Sequence, residues 1–160
     1  MTTAVTIKVT VDNVKKKDSN TYKGDFTFKQ TAGSPTVLGD DGKIDLSEVT
    51  GDTDISFDWG TPQVEIGGAM YDASWYYRDQ TGLNILISKG KDSDPLKSGS
   101  HPKFSGTDEF LVNQAPSTAQ FTLMDKNSDG GKYAYCLIAY VNIDGGKELI
   151  CDPKIINKPD

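Results

Sequence analysis

Arginine, histidine and cysteine are nearly missing from these 160 residues: Arg78 is the only arginine, His101 the only histidine, and Cys136 and Cys151 the only cysteines. Each scarcity removes a class of chemistry. Bidentate recognition of phosphate or carboxylate is mainly arginine's work, and the net charge of −6 repels nucleic-acid phosphates and anionic headgroups at long range. Nucleic-acid and membrane partners are therefore not expected, and Lys15-Lys16-Lys17, set between Asp12 and Asp18, reads as a solvated turn. A Ser-His-Asp or Cys-His nucleophile needs a positioned imidazole, and a His-rich zinc site needs several. His101 stands alone in Gly99-Ser100-His101-Pro102 and reads as a loop residue. Two cysteines without Cys-x-x-Cys spacing are expected to be buried thiols in a reducing compartment, facing each other if their strands pair. No apolar run approaches the roughly 18 to 20 residues of a membrane span. The start Met1-Thr2-Thr3-Ala4-Val5 has no basic segment leading into an apolar one, so a cytoplasmic location is expected.

What is present is alternation. Val5, Ile7, Val9 and Val11 are separated by polar residues, the two-residue period of a strand with one buried face. Phe26 and Phe28 continue the pattern between Tyr22 and Lys29, as do Ile55, Phe57 and Trp59 between Asp54 and Trp59, and Leu83, Ile85 and Ile87 after Gly82. Gln63 to Ile66 and Ala73 to Arg78 form weaker strands around Gly67-Gly68, and Phe121 and Leu123 mark another. The segment from Gln30 to Thr53 reads mostly as loop. Residues 89–108, with Gly90, Pro95, Gly99, Pro102 and Gly106, read as a long surface loop and the chief mobile segment. Lys132 to Ile143 is apolar on both faces and is followed by Asp144-Gly145, a hairpin turn leading to Lys147 through Ile156. No stretch keeps a helical period. The expectation is a single all-β domain over residues 1–160, an immunoglobulin-like two-sheet Greek-key β-sandwich of about seven to nine strands.

Asp129-Gly130-Gly131-Lys132-Tyr133 has the spacing of a tyrosine corner. There a tyrosine at the start of a strand returns its hydroxyl to an upstream backbone group while glycine permits the bend. Asp129, Gly131 and Tyr133 are thus expected to be structural. Trp59 or Trp75 is the candidate core tryptophan, and the apolar neighbours of Trp59 favour it.

Candidate binding residues are few. Asp40 to Glu48 matches the back half of a calcium loop, with Asp41, Asp45 and Glu48 at its fifth, ninth and twelfth positions. Its first and third positions are Val37 and Gly39, which offer no side-chain oxygen, so an acidic turn is expected rather than a metal site. Trp75, Tyr76 and Tyr77 offer aromatic faces to a sugar or a partner, although strand alternation sends at least one face to the core. Carboxylates such as Asp54, Asp58, Glu65, Asp72 and Asp79 are candidates for acid and base roles only if the fold converges two of them. Neither Gly67-Gly68 nor Gly130-Gly131 has the context of a phosphate loop, and no cofactor is expected.

The tail Ile150-Cys151-Asp152-Pro153 through Lys158-Pro159, following the Tyr133 to Val141 strand, resembles the DP-EP family of small bacterial proteins. Asp152-Pro153 supplies the first of that family's two named dipeptides, and Lys158-Pro159 stands where the second has Glu-Pro. The resemblance implies a seven-stranded immunoglobulin-like sandwich without assigned catalytic residues. Read from the residues themselves, Pro153 interrupts donation along the last strand, as at an edge or a bulge, and Asp152 is placed to accept backbone hydrogen bonds there. The functional expectation is a non-enzymatic protein-interaction or self-assembly module, with a small-ligand module for sugar or calcium as the alternative and a carboxylate hydrolase last.

Overall fold

The Val5 to Val11 alternation becomes strand β1 (Thr3–Lys16), whose valines and isoleucine are buried in turn. The aromatic run becomes β2 (Thr21–Ala32), antiparallel to it, with Val9 opposite Phe28 and Val11 opposite Phe26. The computed structural model describes residues 2–76, 84–99, 110–112, 119–126 and 130–158, and among them the fold is all-β, with twelve strands and a single short α-helix. The remaining strands are β3 (Ile44–Asp45), β4 (Thr53–Trp59), β5 (Gln63–Ile66), β6 (Ala69–Ser74), β7 (Ile85–Lys89), β8 (Phe110–Val112), β9 (Gln120–Asp125), β10 (Gly131–Val141), β11 (Lys147–Ile150) and β12 (Lys154–Lys158). The described strands outnumber the expectation because β3, of two residues, and β8, of three, fall where no strand was expected, and the last strand divides into β11 and β12. Helix α1 (Pro95–Ser98) is one turn within the expected long loop, with Asp94 capping it by accepting from the Leu96 N–H at 3.0 Å. Residues 100–108 of that loop lie outside the described residues. No helix among the described residues is long and apolar enough to cross a membrane.

β10 organises the sheet. Its first half pairs with β12 on one edge and β7 on the other, and its second half pairs with β11 and β6. Beyond β11 the order continues through β2, β1, β4, β9 and β8. β1 lies parallel to β4, with Thr3 opposite Thr53 and Val9 opposite Trp59, and β11 lies parallel to β2. Parallel neighbours need a crossover connection rather than a tight turn, which local patterning cannot announce. Two of the hairpin turns obey the glycine pattern: Gly67 and Gly68 have φ of 59° and 85°, and Asp144 and Gly145 have 48° and 85°, the positive pairs of a type I′ turn.

Nine consecutive residues of β10, Tyr133 to Val141, are buried. Their alternation is intact but serves two clusters. Tyr133, Tyr135, Leu137, Ala139 and Val141 enter the main core, while Cys136, Ile138 and Tyr140 pack with Ile150 and Leu86 on the opposite face. Buried Asn84 secures the edge where β7 gives way to β6, its Nδ2 donating to the carbonyls of Trp75 and Ile138 and its own carbonyl accepting from the Ile138 N–H. On the other edge, Cys136 and Leu137 face three residues, Cys151, Asp152 and Pro153. This is a one-residue bulge at the expected proline, and it reverses the facing of β12 relative to β11. Leu149 and Cys151 point into the main core before it, and Ile156 does so after it.

The core tryptophan is Trp75, not Trp59. Trp75 is fully buried, donates its indole N–H to the Phe57 carbonyl at 2.9 Å, and meets Trp59 and Phe121 edge to face. Trp59 sits half-buried at the margin, donating to Thr61 O. Tyr135, the next residue on the same face of β10, donates its hydroxyl to the carbonyl of Gly42 in the 3-10 turn Asp40–Gly42. Gly42 has φ of 82°, and a Cβ there would come within 2.6 Å of the Phe28 ring. Asp129 lies outside the described residues.

Tyr135→Phe removes the only side-chain atom of that residue able to serve the Gly42 carbonyl, and is expected to lower unfolding free energy by about 1 to 3 kcal/mol in urea titration. Cys136 and Cys151 are both buried, the Cys136 thiol donating to the Cys151 carbonyl at 2.9 Å, and its pKa is pushed up by the hydrogen bond with the Cys151 thiol and by burial. Neither thiol is expected to react with a thiol reagent in the native protein, and both after denaturation.

Candidate functional site

β1 outlasts its parallel neighbour. β4 ends at Trp59, and Gly60-Thr61-Pro62 turns the chain away after the Gly60 N–H donates to Val9 O and Thr61 Oγ1 accepts from the Val11 N–H. β1 runs on to Lys16 through a bulge at Asn13, whose φ is 52°. Among the described residues no strand pairs with that side of β1 beyond Val11. Across the gap stands β5, paired with β6 on its other edge.

Between them lies a groove of about 460 Å³, lined by Val11, Val14 and Val64 together with Asp12, Lys15 and Glu65. The exposed Met70 of β6 lies at one side, 57% accessible. The backbone of β5 can be assigned by alternation. The Ala73 N–H donates to Pro62 O, which makes Val64–Tyr71 and Ile66–Ala69 the hydrogen-bonded pairs of the hairpin. The N–H and C=O groups of Gln63 and Glu65 therefore turn to the open edge.

The residues singled out from sequence are dispersed. Trp75 is in the core, its faces taken by other rings, and so offers no platform to a sugar. Tyr76 is half-buried and accepts from the Ser74 hydroxyl through its carbonyl at 2.6 Å, and Tyr77 lies outside the described residues. In the acidic loop, Asp41 is paired with Lys154 at 3.0 Å, while Asp45 accepts from the Ser47 N–H at 3.0 Å and from Asn157 Nδ2 at 3.1 Å. Glu48 is exposed. The loop is thus tied to β12. Asp58 accepts from Gln120 and Asp72 from Gln63, so the carboxylates considered for acid and base roles are spread over separate contacts. Gly131 opens β10 with φ of 110°, and Asp152 and Pro153 form the bulge. His101, Arg78 and Asp79 lie outside the described residues.

One arrangement has no counterpart among the sequence motifs. Lys158 and Asp125 are buried together with Nζ 3.0 Å from Oδ1, and both side chains are 0% exposed. The Phe110 and Tyr133 rings lie 5.0 and 5.5 Å from Nζ. Burial, and secondarily the charge of Lys89, pulls the Lys158 ammonium down to about 8. Asp125 lies where the β9 alternation predicts an inward residue, after Phe121 and Leu123. Lys158 faces inward because of the bulge, which no periodicity count includes.

Asp45 provides a pH test. Hydrogen bonds from the Ser47 side chain and backbone, and from Asn157, hold its carboxyl below its ordinary 3.8. Its contribution to stability is present above 3.8 and is lost as acid takes the pH down through the lowered value. A carboxyl-carbon NMR titration is expected to show Asp45 titrating below the exposed aspartates, and Asn157→Ala is expected to move it up.

No family model matches the chain, and no curated protein matches it. Among solved structures it is similar to the crystal structure of the inclusion body protein PixA from Burkholderia cenocepacia J2315, with 10% identity and a TM-score of 0.35, over 97% of this chain and 95% of that one.

Proposed function

We propose that the protein is a non-enzymatic interaction module that assembles by strand addition, an extended segment of a second copy or of another protein entering the groove between β1 and β5. The observation that carries this reading is the pair of strand edges that face the same groove, with the Gln63 and Glu65 backbone groups directed to the open side. A strand placed there gains main-chain hydrogen bonds from the edge. The charges of Asp12, Lys15 and Glu65 in the lining disfavour indiscriminate pairing and require a complementary partner. The finer fold reading belongs to the same proposal: an immunoglobulin-like two-sheet sandwich, supported by the two sets of partners along β10. So do the cytoplasmic location and the likeness to the DP-EP family, the latter supported by the structural use of Asp152-Pro153.

The test is Glu65→Pro, which deletes an outward N–H while keeping the hydrogen-bonded pairs of the hairpin. Size-exclusion chromatography with light scattering, and affinity capture from native lysate, are expected to give a complex for the unaltered chain. The variant is expected to bind at least about tenfold more weakly with its unfolding midpoint little changed. A chain that stays monomeric and captures nothing, or a complex indifferent to the proline, would count against strand addition.

A further inference from the structure

Lys158 is a charged side chain enclosed in the fold. A lysine near the end of a strand ordinarily carries its ammonium out to water along its own methylenes, yet this residue is only 2% exposed. Asp125, which closes β9, is 0% exposed. The two come from strands that do not pair with one another. Phe110 and Tyr133, themselves in edge-to-face contact at 5.0 Å, wall the ammonium on their side.

Two opposite charges taken out of water together lose more hydration than a good contact readily returns. A neutral alternative is one proton away. Passing a proton from Nζ to Oδ1 along their 3.0 Å contact leaves an amine beside a carboxylic acid. Burial already disfavours the ammonium, which is pulled down to about 8. The products of that transfer are the reactants of amide condensation. Fixed neighbours of this kind reach effective concentrations of about 10⁵ to 10⁸ M in well-oriented cases, and an enclosed site limits the water that would hydrolyse the product.

We propose that Lys158 and Asp125 condense to an intramolecular isopeptide bond that staples β12 to β9. The Nζ lone pair attacks Cγ of Asp125, and a Nζ–Cγ bond forms. The Cγ–Oδ1 bond breaks, and the Oδ1 hydroxyl leaves with one Nζ proton as water. One N–H remains on the new amide, both charges of the ion pair disappear, and nothing is oxidised or reduced. The staple encloses the chain from 125 to 158, including all of β10 and β11. It restricts the unfolded ensemble as a disulfide does, without needing an oxidising compartment.

Intact-mass spectrometry of the purified full chain tests this after incubation at neutral pH. The expected result is a mass one water below that of the sequence, with a proteolytic digest containing a branched peptide that joins the Lys158 segment to the Asp125 segment. Lys158→Arg and Asp125→Ala are each expected to show their full sequence mass. The unaltered chain at full mass overturns the proposal even if neither variant folds. So does a water loss that maps to a linear peptide, which marks a cyclic imide elsewhere.

Discussion

The rest of the structure depends on one strand that must be covered on both faces and hydrogen-bonded on both edges. β10 presents Tyr133, Tyr135, Leu137, Ala139 and Val141 to one side and Cys136, Ile138 and Tyr140 to the other, so neither face can be left to solvent. Its backbone groups, equally enclosed, need partners along the whole length. One neighbour on each edge does not suffice, and the chain supplies two: β12 then β11, and β7 then β6. The joints between successive neighbours are where specific chemistry appears. Asn84 bridges one joint with its side-chain amide, and the Cys151–Pro153 bulge bridges the other.

Much of this is legible in sequence, for identifiable reasons. Val5 to Val11, Ile55 to Trp59 and the doubly apolar run after Lys132 carry their burial in their own periodicity. Gly67-Gly68 and Asp144-Gly145 carry their turns in residues that tolerate positive φ. The segment from 33 to 52 shows only turn chemistry in sequence, yet Val37, Ile44, Leu46 and Val49 are all buried. They enter the core singly, and their burial is decided by contacts such as those of β3 with β12, over 100 residues away in sequence. The two tryptophans exchange their expected places because local apolar neighbours favour Trp59, whereas an indole N–H is best buried where a distant carbonyl accepts it, as Phe57 does for Trp75.

The candidate sites divide along the same line. Motif matching points to Asp41 and Asp45, and the structure assigns both carboxylates to fastening a loop onto β12 through Lys154 and Asn157. What composition could not indicate was an edge left over when two paired strands differ in length, or a lysine enclosed with an aspartate 33 positions earlier. Both arise from register, which is a relation between segments. A sequence read one segment at a time contains the residues and not the relation.

The bulge at Asp152-Pro153 sets the parity of the chain's final strand. In a surface loop one residue more or less is usually absorbed, since closure entropy changes slowly with length. Here the extra residue is a phase element: with it, Ile156 enters the core and Lys158 meets Asp125; with one residue fewer, the same strand would present Ile155 and Asn157 inward and send the lysine to solvent. Substitutions at 152 and 153 that keep the count leave this phase in place, while Cys151 is also a core residue. A deletion of one codon would rewrite every contact of β12, so natural variation in length is expected to be excluded from this irregular segment, although it has the look of a tolerant turn.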